Sequence, residues 1–365
     1  MSFDGIDSID TPVLLVDLEA ADRNIQRLFG HFAGSGVRVR PHLKTVKSPV
    51  FARRLLDAGA SGVCVAKLGE AEVMAAAGID DILITTELVG ARKLERLVAL
   101  LRARPLKLTL VVDGATAVDA LANALDTAGL RVPVLIDLDV GQHRTGVLTG
   151  APALALARHV ASRRALELVG VQGYEGHLQH VPDAAERERA CGSAMALLVE
   201  CADALRADGH DIRTVTTGGT GTALFCKGCA GVTEVQPGSF VFMDVAYRRV
   251  LGHAYEPALT VLSTVISRPR ANEAVVDAGL KSLSTDMGVA EPFDRPGVSY
   301  RPAGDEHGIL SWDATAVENG PQVGEQIRLI PSHIDTTVNL HDGYHIVRNG
   351  TCNTYWPVAA RGKVQ

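Results

Sequence analysis

The chain has 365 residues, 47% of them hydrophobic and 21% charged, with a formal net charge of −6. That length supports two domains and a large core in an ordinary globular composition. The acidic balance excludes the basic footprint of a nucleic-acid binder, and no stretch approaches the roughly 20 apolar residues of a membrane-spanning helix.

The opening residues, Met1 to Asp7, carry neither a basic region nor an apolar run. No secretory leader is expected, and a cytoplasmic location is the default. From residue 13 to about 245, compact apolar runs alternate with amphipathic segments at intervals of roughly 25 residues, as βα units would give. Strands are predicted at 13–16, 37–40, 62–65, 81–84, 106–112, 132–138, 166–172 and 212–216, with a short ninth at 232–236. Helices are predicted at 18–32, 48–58, 69–77, 91–103, 115–126, 151–162 and 183–207. Ala-Gly recurs at 58–59, 77–78 and 128–129 as the helix-to-strand turn of one unit after another. The pattern predicts an α/β fold, a TIM-like (β/α)8 barrel over residues 13–250. From 256 the texture changes to short strand-like runs at 260–267, 273–277, 308–312, 326–330 and 343–348, divided by Gly, Pro and Asn/Asp turns. Residues 256–365, together with 1–12, are therefore expected to form a second, mainly β domain.

Chemistry-bearing residues fall where a barrel's strands end, the rim at which such folds react. Lys44, in Arg40-Pro41-His42-Leu43-Lys44-Thr45, follows the strand at 37–40. A lysine is usually a solvated surface residue, but one at that rim can lose its proton and attack a carbonyl, which makes it a candidate Schiff-base lysine. Arg144 lies beyond the strand at 132–138, and its permanent charge suits a phenolate or carboxylate. Tyr174, His177 and His180 follow the strand at 166–172 and suit acid–base work. Thr217-Gly218-Gly219-Thr220-Gly221-Thr222 follows the strand at 212–216, the usual place of a phosphate cradle, and Gly238 and Ser239 add another N–H and a hydroxyl. The sequence GGTGT lacks the dinucleotide spacing. His333 and Asp335, at i and i+2, share one side if the segment is extended and can bring a nitrogen and a carboxylate oxygen to one cation. Six cysteines show no framework spacing and read as reduced thiols, and the isolated Cys226/Cys229 CxxC reads as packing.

Taken together, Arg40-Pro41-His42-Leu43-Lys44-Thr45, Asp139-Val140-Gly141-Gln142, Gly218-Gly219-Thr220-Gly221, Gln236-Pro237-Gly238-Ser239, Asp277-Ala278-Gly279-Leu280-Lys281, Asp305-Glu306-His307-Gly308 and Pro331-Ser332-His333-Ile334-Asp335 resemble the fold-type III enzymes that use pyridoxal 5′-phosphate (PLP). They carry the alanine racemase kind of barrel, and the resemblance is closest to the D-threonine aldolase and D-serine dehydratase group. It implies that Lys44 binds PLP as a Schiff base, that Arg144 meets the cofactor's O3′ and that Tyr174 sits by its ring. Thr217, Gly219, Thr220, Gly221, Gly238 and Ser239 would hold the phosphate, His333 and Asp335 a divalent metal, and His180, with His177 its rival, would stand near the substrate's β-hydroxyl. The dehydratase branch typically has His-x-Cys at the metal. His-x-Asp here, with Asn339-Leu340-His341-Asp342-Gly343, resembles the aldolase branch and turns preference to Mn²⁺, with Mg²⁺, Co²⁺ or Zn²⁺ as alternatives. One departure is Val46, where relatives commonly have a histidine. The implied activity is cleavage of D-threonine and similar D-3-hydroxy-α-amino acids to glycine and an aldehyde by a homodimer. Alternatives are β-elimination from D-serine or D-threo-3-hydroxyaspartate, a 3-hydroxy-D-aspartate aldolase, an alanine-type racemase and a non-catalytic PLP carrier.

Overall fold

The computed structural model describes residues 5–313, 315, 317 and 320–365. Residues 1–4, part of the segment read for a leader, lie outside them. The chain divides into two compact units: Leu28–Lys44, Pro49–Gly238 and Lys363–Gln365 in one, and the residues up to Arg27, Thr45–Ser48 and Ser239–Gly362 in the other. The first elements along the chain are β1 (Val13–Asp17) and α1 (Leu18–Phe32).

The barrel unit contains β2 (Arg38–Val39), β3 (Val63–Val65), β4 (Asp81–Ile84), β5 (Lys107–Val112), β6 (Val132–Leu138), β7 (Leu166–Gly173), β8 (Thr214–Thr217) and β9 (Glu234–Val235). Their order is β2-β9-β8-β7-β6-β5-β4-β3, every neighbour parallel. Beyond β2, Leu43 N–H donates to Cys64 O (2.8 Å) and Cys64 N–H to Pro41 O (2.9 Å), so the two ends of the sheet meet and close the ring. Between the strands run α2 (Pro49–Asp57), α3 (Leu68–Ala76), α4 (Ala91–Ala103), α5 (Ala115–Ala128), α6 (Ala151–Ala161), α7 (Ala184–Ala207) and the short α8 (Ala223–Lys227). Gly59, Gly78 and Gly129 all take positive φ, 106°, 82° and 67°, as the repeated Ala-Gly turns require.

Side-chain alternation layers the barrel interior. Cys64, Leu83, Val111 and Leu135 form one buried apolar cluster. Two residues further along the same four segments stand Ala66, Thr85, Asp113 and Asp137. The interior thus turns polar toward the C-terminal ends of the strands. Arg40 also lies in this unit, its Nε 3.1 Å from the buried Glu234 carboxylate. Its guanidinium needs the space left by Gly62 (φ 146°), where a Cβ would fall 2.1 Å from Arg40 Nη1.

The second unit contains α9 (Val245–Leu251), β10 (Leu259–Arg270), β11 (Glu273–Val276), β12 (Glu291–Pro292), β13 (Val298–Pro302), β14 (Gly308–Trp312), β15 (Gln326–Ile330), α10 (Ile334–Val338), β16 (Gly343–Arg348) and β17 (Thr351–Pro357). Its sheet runs β13-β14-β11-β10-β1-β16-β17, with β15 on β10 and β12 on β15. Here the expected boundaries need correction. The run at 13–16 is not a barrel strand: β1 pairs antiparallel with β10 and parallel with β16 in the second sheet. The short strand expected as the ninth, now β9, completes the eight. A buried apolar run of four or five residues reads alike in any sheet that covers both its faces, so periodicity does not assign it. Residues 239–250, expected in the barrel domain, also belong to this unit.

Candidate active site

Lys44 lies half-buried in the turn after β2. Its N–H donates to His42 Nδ1 (3.3 Å), so the ring proton sits on Nε2, which donates to Thr85 Oγ1 (3.0 Å). The Thr85 hydroxyl in turn donates to Val65 O (3.2 Å). This relay from β3 and β4 holds the lysine turn. The sequence motif contains His42, but nothing in spacing alone marks its orienting role.

Two carboxamides order the polar rim. Gln172 Nε2 donates to Asp137 Oδ1 (2.8 Å) and Thr85 O (3.3 Å). Gln236 Nε2 donates to Gln172 Oε1 (3.2 Å) and Thr216 Oγ1 (2.9 Å). Thr145 Oγ1 donates to the other Asp137 oxygen (2.9 Å). Burial, with Asp137 and Asp113 close by, pushes the Glu87 carboxyl up to about 7, and burial raises Asp137 as well. The exposed Arg144 follows β6, its guanidinium carbon 5.4 Å from the centroid of the half-buried Tyr174 ring after β7. These two expected residues are therefore brought together, and they line one small cavity with Asp137, Asp139, Gln142 and Thr145. His180 is half-buried, whereas His177 is exposed with its Cε1 3.2 Å from where a Gly141 Cβ would stand.

The glycine loop after β8 is built on Glu175, a fully buried carboxylate that the sequence reading passed over. It accepts from Thr217 Oγ1 (2.8 Å), Gly218 N–H (3.3 Å), Gln179 Nε2 (3.2 Å) and Thr222 Oγ1. Gly221 N–H donates to Gln179 Oε1 (2.9 Å), and Gly219 N–H to Thr222 Oγ1 (3.2 Å). The Thr217 hydroxyl and these two N–H groups, expected to face a phosphate, thus donate inward. A buried loop must satisfy its own backbone donors, and a Cβ at Gly219 or Gly221 would lie 2.4 Å from Gln179 atoms. Their glycines shape the cradle. Thr220 lies between them, 8% exposed, and Gly238 follows β9.

Among the described residues, Glu175, Cys191 and Cys226 form one cluster of metal-capable groups. Glu175 is already saturated by protein donors. The Cys191 contact (3.5 Å between sulfurs) and burial push the Cys226 thiol well above its ordinary value, so it stays protonated. The cluster is a packed underside to the loop.

In the second unit His333 and Asp335 come together, though not on an extended segment. His333 caps α10 from a β conformation and Asp335 lies in that helix's first turn. His333 Nε2 stands 3.8 Å from Asp335 Oδ2. Thr45 Oγ1 donates to both Asp335 oxygens at 3.2 Å, and Ser239 Oγ lies 3.4 Å from Oδ2, so Ser239 has a partner other than the expected phosphate. The buried Asp244 carboxylate accepts from Tyr247 N–H (2.9 Å) and Ile334 N–H (3.0 Å), which fixes the start of α10.

These donor sets fit the groups the resemblance implies. An amine, a guanidinium, a phenol and a glycine cradle end the barrel strands, as PLP requires. Metal bonds to nitrogen and oxygen of about 2.1 Å together reach about 4.2 Å, so the 3.8 Å separation leaves room for one cation held by both ligands. Residues 16–245 match the family model of the alanine racemase N-terminal domain, and residues 258–347 that of a putative serine dehydratase domain. The chain is 38% identical to a D-threonine aldolase of an Arthrobacter species, over 98% of this chain and 94% of that one. It is 36% identical to a 3-hydroxy-D-aspartate aldolase of Paracoccus denitrificans, over 97% and 93%. The crystal structure of D-threonine aldolase from Filomicrobium marinum superposes with a TM-score of 0.94 at 40% identity, covering 99% of this chain and 98% of that one. The chain belongs to the fold-type III family of PLP enzymes, in the group that contains the D-threonine aldolases and D-serine dehydratases.

Proposed function

We propose that this protein cleaves D-threonine and related D-3-hydroxy-α-amino acids to glycine and an aldehyde, with PLP on Lys44 and a divalent cation on His333 and Asp335. What supports the reading is the carboxylate of Asp335 beside His333, in a chain whose relatives over nearly its full length include two aldolases. When bound, PLP supplies an electron sink at Cα and the cation supplies Lewis acidity at the β-hydroxyl.

The chain's own residues then have distinct tasks. Arg144, its guanidinium carbon 5.4 Å from the Tyr174 ring centroid, would hold positive charge at the cofactor's O3′. Thr220 and the backbone N–H groups of Gly238 and Ser239 would bind the phosphate, while Thr217, Gly219 and Gly221 keep the cradle's shape through Glu175, Thr222 and Gln179. Thr45, the residue after Lys44, orients Asp335 through its hydroxyl. His180 accepts the proton of the substrate's β-hydroxyl, a role that leaves the exposed His177 as a secondary candidate. A carboxylate–imidazole ligand pair suits Mn²⁺ first, then Mg²⁺, Co²⁺ or Zn²⁺. The same reading takes the protein as a cytoplasmic homodimer, in keeping with six cysteines that are all free thiols.

The test is to incubate the PLP- and Mn²⁺-loaded protein with D-threonine, L-threonine and 3-hydroxy-D-aspartate, with and without a strong chelator. Glycine and acetaldehyde from D-threonine alone, lost on chelation and restored by Mn²⁺, is the expected result. Glycine and glyoxylate in preference to acetaldehyde would move the substrate to hydroxyaspartate. Ammonia and oxobutanoate without glycine would replace cleavage with β-elimination.

A further inference from the structure

His333 offers its Nε2 toward Asp335, and its other nitrogen is occupied. His333 Nδ1 lies 2.7 Å from Asp286 Oδ2. A carboxylate only accepts, so Nδ1 carries a proton, and in the neutral ring the lone pair is then on Nε2, on the side of Asp335. Asp286 is itself held, its Oδ1 accepting from Ser284 Oγ (2.6 Å) and Thr336 Oγ1 (2.9 Å). The segment that carries it is tied down twice more. Ser284 N–H donates to Thr337 Oγ1 (3.2 Å), and Ser332 Oγ donates to Ser284 O (2.9 Å). Every one of these contacts lies within the second unit, on the turn before β12 and on the residues around α10.

We infer that Asp286 is a positioning residue for the metal: it fixes the tautomer and ring plane of His333, and its charge strengthens the imidazole as a ligand. Metal-bound histidines characteristically donate their other ring N–H to a carboxylate, and loss of that partner weakens metal affinity 10–100-fold. Asp286 and Asp335 together also bring two negative charges to the two nitrogen edges of one imidazole, which balances a dication. In sequence, Asp286 is 47 residues from His333 within Ser284-Thr285-Asp286, and only the fold brings the two together. The inference rests on the proposed metal at His333 and Asp335.

Mn²⁺ titration of the PLP-loaded protein tests it, with free Mn²⁺ followed by its EPR signal, on wild type, Asp286→Ala, Asp286→Asn and His333→Ala. The expected result is a Kd raised 10–100-fold in Asp286→Ala and less in Asp286→Asn, whose carbonyl oxygen still accepts from Nδ1–H. Lysine-bound PLP absorbance and the unfolding midpoint should match wild type, and saturating Mn²⁺ should restore kcat. Affinities within twofold of wild type in both Asp286 variants would overturn the inference while leaving the metal reading intact. So would an affinity loss in Asp286→Asn that Mn²⁺ excess does not correct and that tracks lost PLP. Wild-type uptake of Mn²⁺ that His333→Ala does not weaken would instead overturn the ligand assignment, and this inference with it.

Discussion

Glu175→Gln is the sharpest perturbation of the glycine loop after β8, because it changes one atom in a fully buried network. One carboxylate oxygen accepts from Gln179 Nε2 and Thr222 Oγ1, the other from Thr217 Oγ1 and Gly218 N–H. A glutamine must place its NH₂ on one of these sides. On the first side Thr222 Oγ1 already accepts from Gln179 Nε2 (2.8 Å) and Gly219 N–H (3.2 Å), so it has no lone pair left for an amide. On the second side the Thr217 hydroxyl can turn and accept, but Gly218 N–H cannot. Gln179 has no freedom to flip, since its Oε1 already accepts from Gly221 N–H. Whichever way the amide points, at least one buried donor loses the oxygen it had on Glu175, at about 1–3 kcal/mol, and the surviving bonds fall from charged to neutral strength. Part is recovered because no charge is buried, which leaves a net loss of about 3 kcal/mol. Denaturant unfolding of the two PLP-loaded proteins measures it, and PLP affinity should weaken in parallel because the loop carrying Thr220 is loosened. Stability within about 0.5 kcal/mol of wild type, with unchanged PLP affinity, would refute the assignment of Glu175 as the loop's support.

Lys44→Ala should abolish both activity and the absorbance of lysine-bound PLP. A persisting band would mean that another lysine is used. Gly62→Ala should cost about 2 kcal/mol or more by denaturant unfolding, from a positive φ and a Cβ driven against Arg40, and an unchanged midpoint would remove the claim that the glycine is there for the guanidinium. Glu87 makes stability depend on pH. Its carboxyl lies near 7 in the folded protein against an ordinary 4.5, so between those values the folded state keeps a proton that the unfolded chain has released. Stability should therefore fall as pH rises from about 4.5 through about 7. Glu87→Gln should flatten that fall between pH 5 and pH 8, and an identical fall in the variant would place its origin elsewhere.

Much of the architecture was legible along the chain because its signals are local. Ala-Gly turns, apolar runs and amphipathic helices each depend on a few consecutive residues, and β4, β6, β14, β15 and β16 fall where their patterns end. The rim residues were legible too, since a position just past a strand is a statement about sequence. The strand at 13–16 escaped because a short apolar run carries no label for its partner, and its pairing with β10 and β16 depends on residues more than 240 positions away. His333-Ile334-Asp335 could be paired from spacing alone, but not given its helix-capping conformation.

By itself, the sequence determined the repeating βα units, a lysine just past a strand and a His-x-Asp pair near the far end. Tertiary structure decided which donors are already spent. Thr217, Gly219 and Gly221 give theirs to Glu175, Thr222 and Gln179, and His42 and Asp286 orient groups that the motifs merely name. The reason is physical: a side chain's type is written in the chain, whereas a hydrogen bond is a relation between two groups, and here folding supplies the second.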